Sequence, residues 1–229
     1  MQNIGAVILA AGESSRFGRP KQLIQFGGQS LVRRIVDAAD EAGCSPIIVV
    51  VGDDDEKNAI QSPHLHPLPL PRGEAIPDGT LADLIQCELE QTPAKIVKNR
   101  NWRAGIGTSI CVGVQGLIDN EPTVETIVLL VCDQPFVDAE VIKKLIALQV
   151  QTKRAILASS YSDTLGVPAL FDRSCFQELL ALDDQSGAKK IIFSNRDRVA
   201  EFSFPEGKID IDTVEDYEKL TQTGSSRME

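Results

Sequence analysis

Residues 5–21 read GAVILAAGESSRFGRPK, and this stretch decides the fold. Small and branched apolar residues run from Gly5 to Ala11 without polar alternation, the pattern of a strand buried on both faces of a parallel sheet. A turn of small residues follows at Gly12, and open α/β sheets present ligands at that carboxyl edge of their strands. Arg16, Arg19 and Lys21 then place three cations within six positions. Exposed backbone amides beside paired cations make a cradle for phosphate. The loop lacks the GK[ST] ending of a P-loop, and Gly12 and Gly18 do not have GxGxxG spacing, so kinase-type and NAD-type sites lose their support. A solvated basic turn is the plainer alternative.

Similar apolar runs recur at 46–52 (PIIVVVG), 95–98 (KIVK), 125–131 (ETIVLLV) and 154–158 (RAILA). Between them the period is helical. Ser30 is placed to cap a helix carrying Leu31, Val32, Ile35, Val36 and Ala39, and Thr80 one carrying Leu81, Leu84, Ile85 and Leu89. A third helix opens at Asp138, and a fourth follows Phe171 with Phe176, Leu179 and Leu180. Strand alternating with helix predicts an α/β chain, a single three-layer α/β/α domain with a Rossmann-like, mostly parallel sheet over residues 1–220. Residues 62–78 interrupt the rhythm with five of the twelve prolines and read as a surface insertion of polyproline II character. Residues 221–229 read as a disordered tail.

The 229 residues carry 33 acidic and 23 basic side chains, a net charge of −10. That balance argues against holding nucleic acid or an anionic membrane by net charge, so an anionic ligand needs a local basic site. The five cysteines are scattered, with no CxxC pair for a zinc site or disulfide framework. The apolar run from Ile4 to Ala11 is too short to span a bilayer, and no basic segment precedes it. A cytoplasmic location is the expectation.

Asp133 lies in Cys132-Asp133-Gln134-Pro135, directly after the run at 125–131. If that strand is parallel to the first, its carboxylate faces the phosphate loop across the same sheet edge. Mg²⁺ takes one or two protein carboxylates together with phosphate oxygens, which suits this position. An aspartate opening a turn before Pro135 is the alternative. His64 and His66, inside the insertion, lack an adjacent acidic or cysteine partner for a metal. Trp102 reads as packing rather than base stacking.

The loop LAAGxxxRxGxxK resembles the signature of the nucleotidyltransferases that include the molybdenum cofactor cytidylyltransferases and guanylyltransferases. Other stretches match that family in order: Asn99-Asn101-Trp102 with GIGTSI at 105–110, VCDQP at 131–135, GVPALF at 166–171, LDDQSGA at 182–188 and DIDTVED at 210–216. The resemblance implies the nucleotide-diphospho-sugar transferase type of fold. It also implies that Leu9, Ala10, Ala11 and Gly12 wrap a nucleoside triphosphate, with Arg16 and Lys21 on its phosphates. Asp133 would hold Mg²⁺ with Asp212 as partner, and Ser109 would lie near the nucleoside. Asp212 also reads as a helix N-cap, and Ser109 as an ordinary small helical residue. Val167 stands where the family has histidine and Lys189 where it has arginine, so contacts to the acceptor differ.

The implied reaction moves a nucleoside monophosphate, foremost CMP from CTP, onto a phosphate on molybdopterin, releasing pyrophosphate. A sugar-phosphate or alditol-phosphate nucleotidyltransferase is the alternative within enzymes, because such enzymes share the first loop and the metal aspartate. A nucleotide-binding cofactor chaperone or adaptor, working with a molybdoenzyme partner, is the alternative from another class.

Overall fold

A computed structural model describes residues 3–12, 20–53, 80–211 and 213–224. Its elements in chain order are β1 (Ile4–Leu9), β2 (Gln25–Phe26), β3 (Gln29–Ser30), α1 (Leu31–Glu41), β4 (Ile47–Gly52), α2 (Leu81–Glu88), β5 (Ala94–Asn99), α3 (Ile106–Asn120), β6 (Thr126–Val131), α4 (Ala139–Thr152), β7 (Ile156–Tyr161), β8 (Thr164–Asp172), α5 (Phe176–Leu180), α6 (Ala188–Ser194), β9 (Val199–Ser203) and α7 (Val214–Gly224). The central sheet runs β5-β4-β1-β6-β8-β7-β9, and β2 with β3 forms a separate two-stranded ribbon. β1 pairs parallel to β4 and to β6, β4 to β5, and β7 to β9, while β8 runs antiparallel to β6 and β7. The sheet is mostly parallel, as the apolar runs imply.

The continuous run of β1 is explained by its two covers. Ala6, Ile8 and Ala10 enter one apolar layer with residues of α1, α2 and α4, and Val7 and Leu9 enter the other with residues of α3, α5 and α6. Ile8 is fully buried, and burying such a side chain contributes roughly 1.5–3 kcal/mol. The caps fall where the sequence places them. Ser30 accepts from the Arg33 amide at 3.2 Å and Asp138 from the Val141 amide at 2.9 Å, while Thr80 and Asp83 form a reciprocal capping box.

Three features depart from the sequence reading. The 166–171 stretch lies inside β8, and the ladder with β7 slips between Ala158 and Ser159, next to the point where Pro168 has no amide to donate. α7 continues through Gly224, into the segment expected to be a tail. The cap of α7 is Thr213 rather than Asp212: Thr213 and Asp216 exchange backbone-to-side-chain bonds of 3.0 and 3.2 Å, which satisfies two free amides at the helix start. The insertion at 62–78, with His64 and His66, lies outside the described residues. No helix among the described residues is long and apolar enough to cross a membrane.

Candidate functional site

β1 lies between β4 and β6, where the chain reverses its direction of travel across the sheet, and open α/β sheets bind ligands at such a point. Leu9, Ala10, Ala11 and Gly12 leave β1 there, and the Ala10 amide still bonds to Val50 O at 2.9 Å. Gln22, fully buried, donates its amide to Ala10 O at 2.8 Å and to Gly12 O at 3.1 Å. This side chain staples the two ends of the loop described at 12 and 20. Sequence reasoning gave Gln22 no role; its signal is a polar residue directly after the loop lysine.

Lys21 and Asp133 meet across the edge. Lys21 Nζ stands 2.6 Å from Asp133 Oδ2, with the side chains 14% and 22% exposed. The lysine stem passes Gly12, where a Cβ would lie 3.9 Å from Lys21 Cε. The Ile211 amide bonds to Asp133 O at 3.0 Å and draws the 209–211 segment to the aspartate. The carboxylate and the loop lysine therefore share one edge, as the parallel pairing of β1 and β6 requires. Arg16, Arg19 and Asp212 lie outside the described residues.

Beside Asp133, Gln134 donates to Val167 O at 3.2 Å and to Gly207 O at 2.8 Å, and Tyr161 donates its hydroxyl to Val167 O at 3.1 Å. The Tyr161 phenol is shifted upward, first by burial and then by the nearby Asp210 carboxylate, with the Gln134 amide opposing and Asp133 adding to the rise. Tyr161 is thus neutral and hydrogen-bonded at the carboxylate edge. Sequence reasoning did not single it out.

Ser109 sits farther along the same edge, two strands from β1. Asn99, at the end of β5 and 2% exposed, donates to Thr108 Oγ1 at 2.9 Å and to Ser109 Oγ at 3.0 Å, and accepts from the Asn101 amide at 2.9 Å. The serine hydroxyl is held by a buried amide at the start of α3. Gly105 has φ 143°, and a Cβ there or on Gly107 would collide with the Asp184 or Asp183 carbonyl. Gly107 N bonds to Asp184 O at 2.9 Å, so the 105–110 and 182–188 stretches lock backbone to backbone. In the clasp, bonds from Lys190 and then Ser186 lower the Asp183 carboxyl to about 2. Trp102 packs its indole on Gly52, where a Cβ would meet Nε1 at 2.8 Å, in keeping with a packing role.

Comparison with known proteins bears on this arrangement. The protein Rv0371c of Mycobacterium tuberculosis H37Rv is 26% identical, with TM-score 0.69 over 96% of this chain and 97% of that one. A structure described as its complex with manganese gives 25% identity and TM-score 0.67 over 96% and 98%. A bifunctional IPC transferase and DIPP synthase of Rubrobacter xylanophilus is 28% identical over 151 residues, 60% of this chain and 29% of that protein. Nicotine blue oxidoreductase of Paenarthrobacter nicotinovorans is 25% identical over 111 residues, 48% and 41%. The matched region thus spans less than half the length of either of these last two relatives. Residues 6–199, from β1 to the start of β9, match the family model of the MobA-like NTP transferase domain, and the chain belongs to that family.

Proposed function

We propose that this protein is a metal-dependent nucleotidyltransferase that moves CMP from CTP onto the phosphate of an acceptor, molybdopterin, and releases pyrophosphate. The observation that carries the reading is the meeting of Lys21 and Asp133 at the carboxyl edge of β1 and β6, beside a glycine loop stapled by Gln22. Among the described residues no three metal-ligating groups cluster. A sparse protein donor set fits Mg²⁺, which completes its shell with phosphate oxygens and water. Asp133 would hold the ion, with Asp212 as second carboxylate, and the manganese complex of Rv0371c supports a divalent cation in this family. Unpaired cysteines throughout suit a reducing cytoplasm.

A bound metal would supply positive charge that offsets the charge of the triphosphate. The backbone from Leu9 to Gly12 and the side chains of Arg16 and Lys21 would receive the β- and γ-phosphates. Ser109, fixed by Asn99, would lie toward the nucleoside. An acceptor phosphate oxygen attacks the α-phosphorus, the α–β bridging bond breaks, and its electron pair leaves with pyrophosphate. A phosphate monoester is already anionic, so no general base is needed; the protein's task is to offset the repulsion between anions.

The test is a pyrophosphate-release panel of CTP, GTP, UTP and ATP against molybdopterin and common sugar phosphates, with Mg²⁺. Release with CTP and molybdopterin is the expected result. Release with a sugar phosphate instead would replace the acceptor, and tight CTP binding without turnover would replace the enzyme by a nucleotide-binding adaptor.

A further inference from the structure

The side of Asp133 away from the phosphate loop is built by β8 and α6. Gly166 on β8 is packed on its open face by two side chains: a Cβ there would collide with Tyr161 Oη and meet Lys189 Cε at 3.4 Å. The Lys189 stem therefore crosses Gly166 next to the tyrosine hydroxyl. That hydroxyl shares the Val167 carbonyl with Gln134, the neighbour of Asp133 in sequence. The two lysines that open α6 have separate fates. Lys190 pairs with Asp183 at 2.5 Å, inside the clasp. Lys189 is exposed and makes no hydrogen bond or ion pair among the described residues.

Electrostatics gives that free ammonium a purpose. Asp133 and Asp210 both lie close enough to Tyr161 to raise its phenol. A second phosphate approaching this side of the site meets two carboxylates, and the Lys21 stem lies on the other side of Asp133, beside Gly12. Entry of a dianion here requires a cation on the β8 side, and Lys189 is the side chain that the packing on Gly166 directs there. We propose that Lys189 is the residue that recognises the acceptor's phosphate monoester, with Gly166 and Tyr161 acting as positioning residues for its stem. This rests on the nucleotidyl-transfer reading given above.

Two measurements on the full chain test it. In pyrophosphate release with Mg²⁺, CTP and the acceptor that turns over, Lys189→Ala is expected to raise the acceptor KM about ten- to hundredfold, the effect of losing a charged contact, with the CTP KM unchanged. Lys189→Arg should restore most of the affinity, and Lys190→Ala, at the neighbouring paired lysine, should leave the acceptor KM at the wild-type value. An unchanged acceptor KM in Lys189→Ala would overturn the assignment. The second measurement needs no turnover: inorganic phosphate is titrated into ¹⁵N-labelled protein and the Gly166 amide shift is followed. A saturable shift in wild type, weakened about tenfold or more in Lys189→Ala, is expected. A Gly166 amide that stays still, or moves equally in both proteins, would refute the proposal. Loss of all pyrophosphate release in wild type with the Lys189-dependent phosphate shift intact would instead sink the transferase reading and leave the phosphate site standing.

Discussion

Replacing Lys21 by methionine removes the ammonium 2.6 Å from Asp133 Oδ2 and keeps most of the apolar stem beside Gly12. Coulomb's law at that distance, with an effective dielectric constant of ~20, gives roughly 6 kcal/mol of attraction. Both groups are largely sheltered, and the desolvation of each is subtracted from that bound. Coupling between contacting residues measures ~0.5–3 kcal/mol, and a short, charge-assisted bond belongs in the upper half, near ~2 kcal/mol. A divalent cation that binds Asp133 in the free protein must displace the ammonium against this coupling. Lys21→Met is therefore expected to bind Mn²⁺ alone about 30-fold more tightly than wild type. Its pyrophosphate release should nonetheless fall by about 10²–10³, the effect expected of the proposed contact between the same lysine and the phosphates. Free Mn²⁺ followed by electron paramagnetic resonance during a protein titration reads the affinity, with Asp133→Asn as the reference that loses the site. If Lys21→Met binds Mn²⁺ no more tightly than wild type, the ion pair does not compete with the metal, and the assignment of Asp133 as its ligand fails.

Asn99→Ala removes a buried amide with three hydrogen bonds and is expected to lower stability by ~2–3 kcal/mol in urea unfolding and to raise the CTP KM by releasing Ser109; a loss under ~0.5 kcal/mol would count against the amide as the anchor. Gly107→Ala sets a gain of ~1 kcal/mol in helix propensity against a Cβ that meets the Asp183 and Ser186 carbonyls, the latter at 2.9 Å. Net destabilisation of ~1–3 kcal/mol is expected, and a net gain in urea midpoint would show that the 183–186 backbone yields. The Asp183 carboxyl is lowered from 3.8 to about 2, so the stability it contributes is present above its ordinary value and is lost as the pH falls through about 2. Thermal unfolding of Asp183→Asn should lack that part of the wild-type acid slope; equal slopes would refute it. Burial, then Asp40, pushes the Cys44 thiol up to about 12, and burial pushes Cys175 up to about 11, whereas Cys87 is exposed. Iodoacetamide on the native protein near neutral pH should label Cys87 first, with Cys44 and Cys175 labelled on unfolding, as peptide mapping would show.

What was legible in the sequence is what local chemistry fixes. β1 reads as a strand because its neighbours on both faces are apolar, so Ala6 and Ile8 need not alternate with polar residues. The caps at Ser30, Thr80 and Asp138 depend on atoms three residues away and were equally plain. α3 was not signalled by an apolar stripe, because Gly107, Gly113 and Gly116 interrupt it. Those glycines answer to tertiary contact: Gly107 passes the 183–186 backbone, while a Cβ on Gly113 would crowd Val7 and meet Val50 at 2.9 Å and one on Gly116 would meet Val97 at 3.1 Å, so these two let the helix lie close on the sheet. β8 escaped for a related reason, since Gly166 and Pro168 weaken any strand pattern and are tolerated where the ladder slips. At the site, Lys21 and Asp133 were each legible from their place after an apolar run. Their pairing spans 112 positions and only the sheet order brings it about.

The reversed strand bears on the proposed transfer, because it gives the carboxylate edge two unlike flanks. Had the sheet continued parallel beyond β6, the neighbour of Asp133 would have been the carboxyl end of another strand, turning away into a helix. Because β8 runs antiparallel, its opening residues lie beside the end of β6 instead, and the Val167 carbonyl there collects Gln134 and Tyr161. Asp133 consequently stands between two unlike walls. On the β1 side are the small-residue loop, the Gln22 staple and Lys21. On the β8 side are Gly166, the neutral Tyr161 and the exposed Lys189, which has no partner among the described residues. In the proposed transfer between two anions, cations held by different parts of the chain would flank the reacting phosphorus, so that the anions do not share one charge. A sheet parallel on one side of its central carboxylate and antiparallel on the other supplies that separation from backbone topology alone.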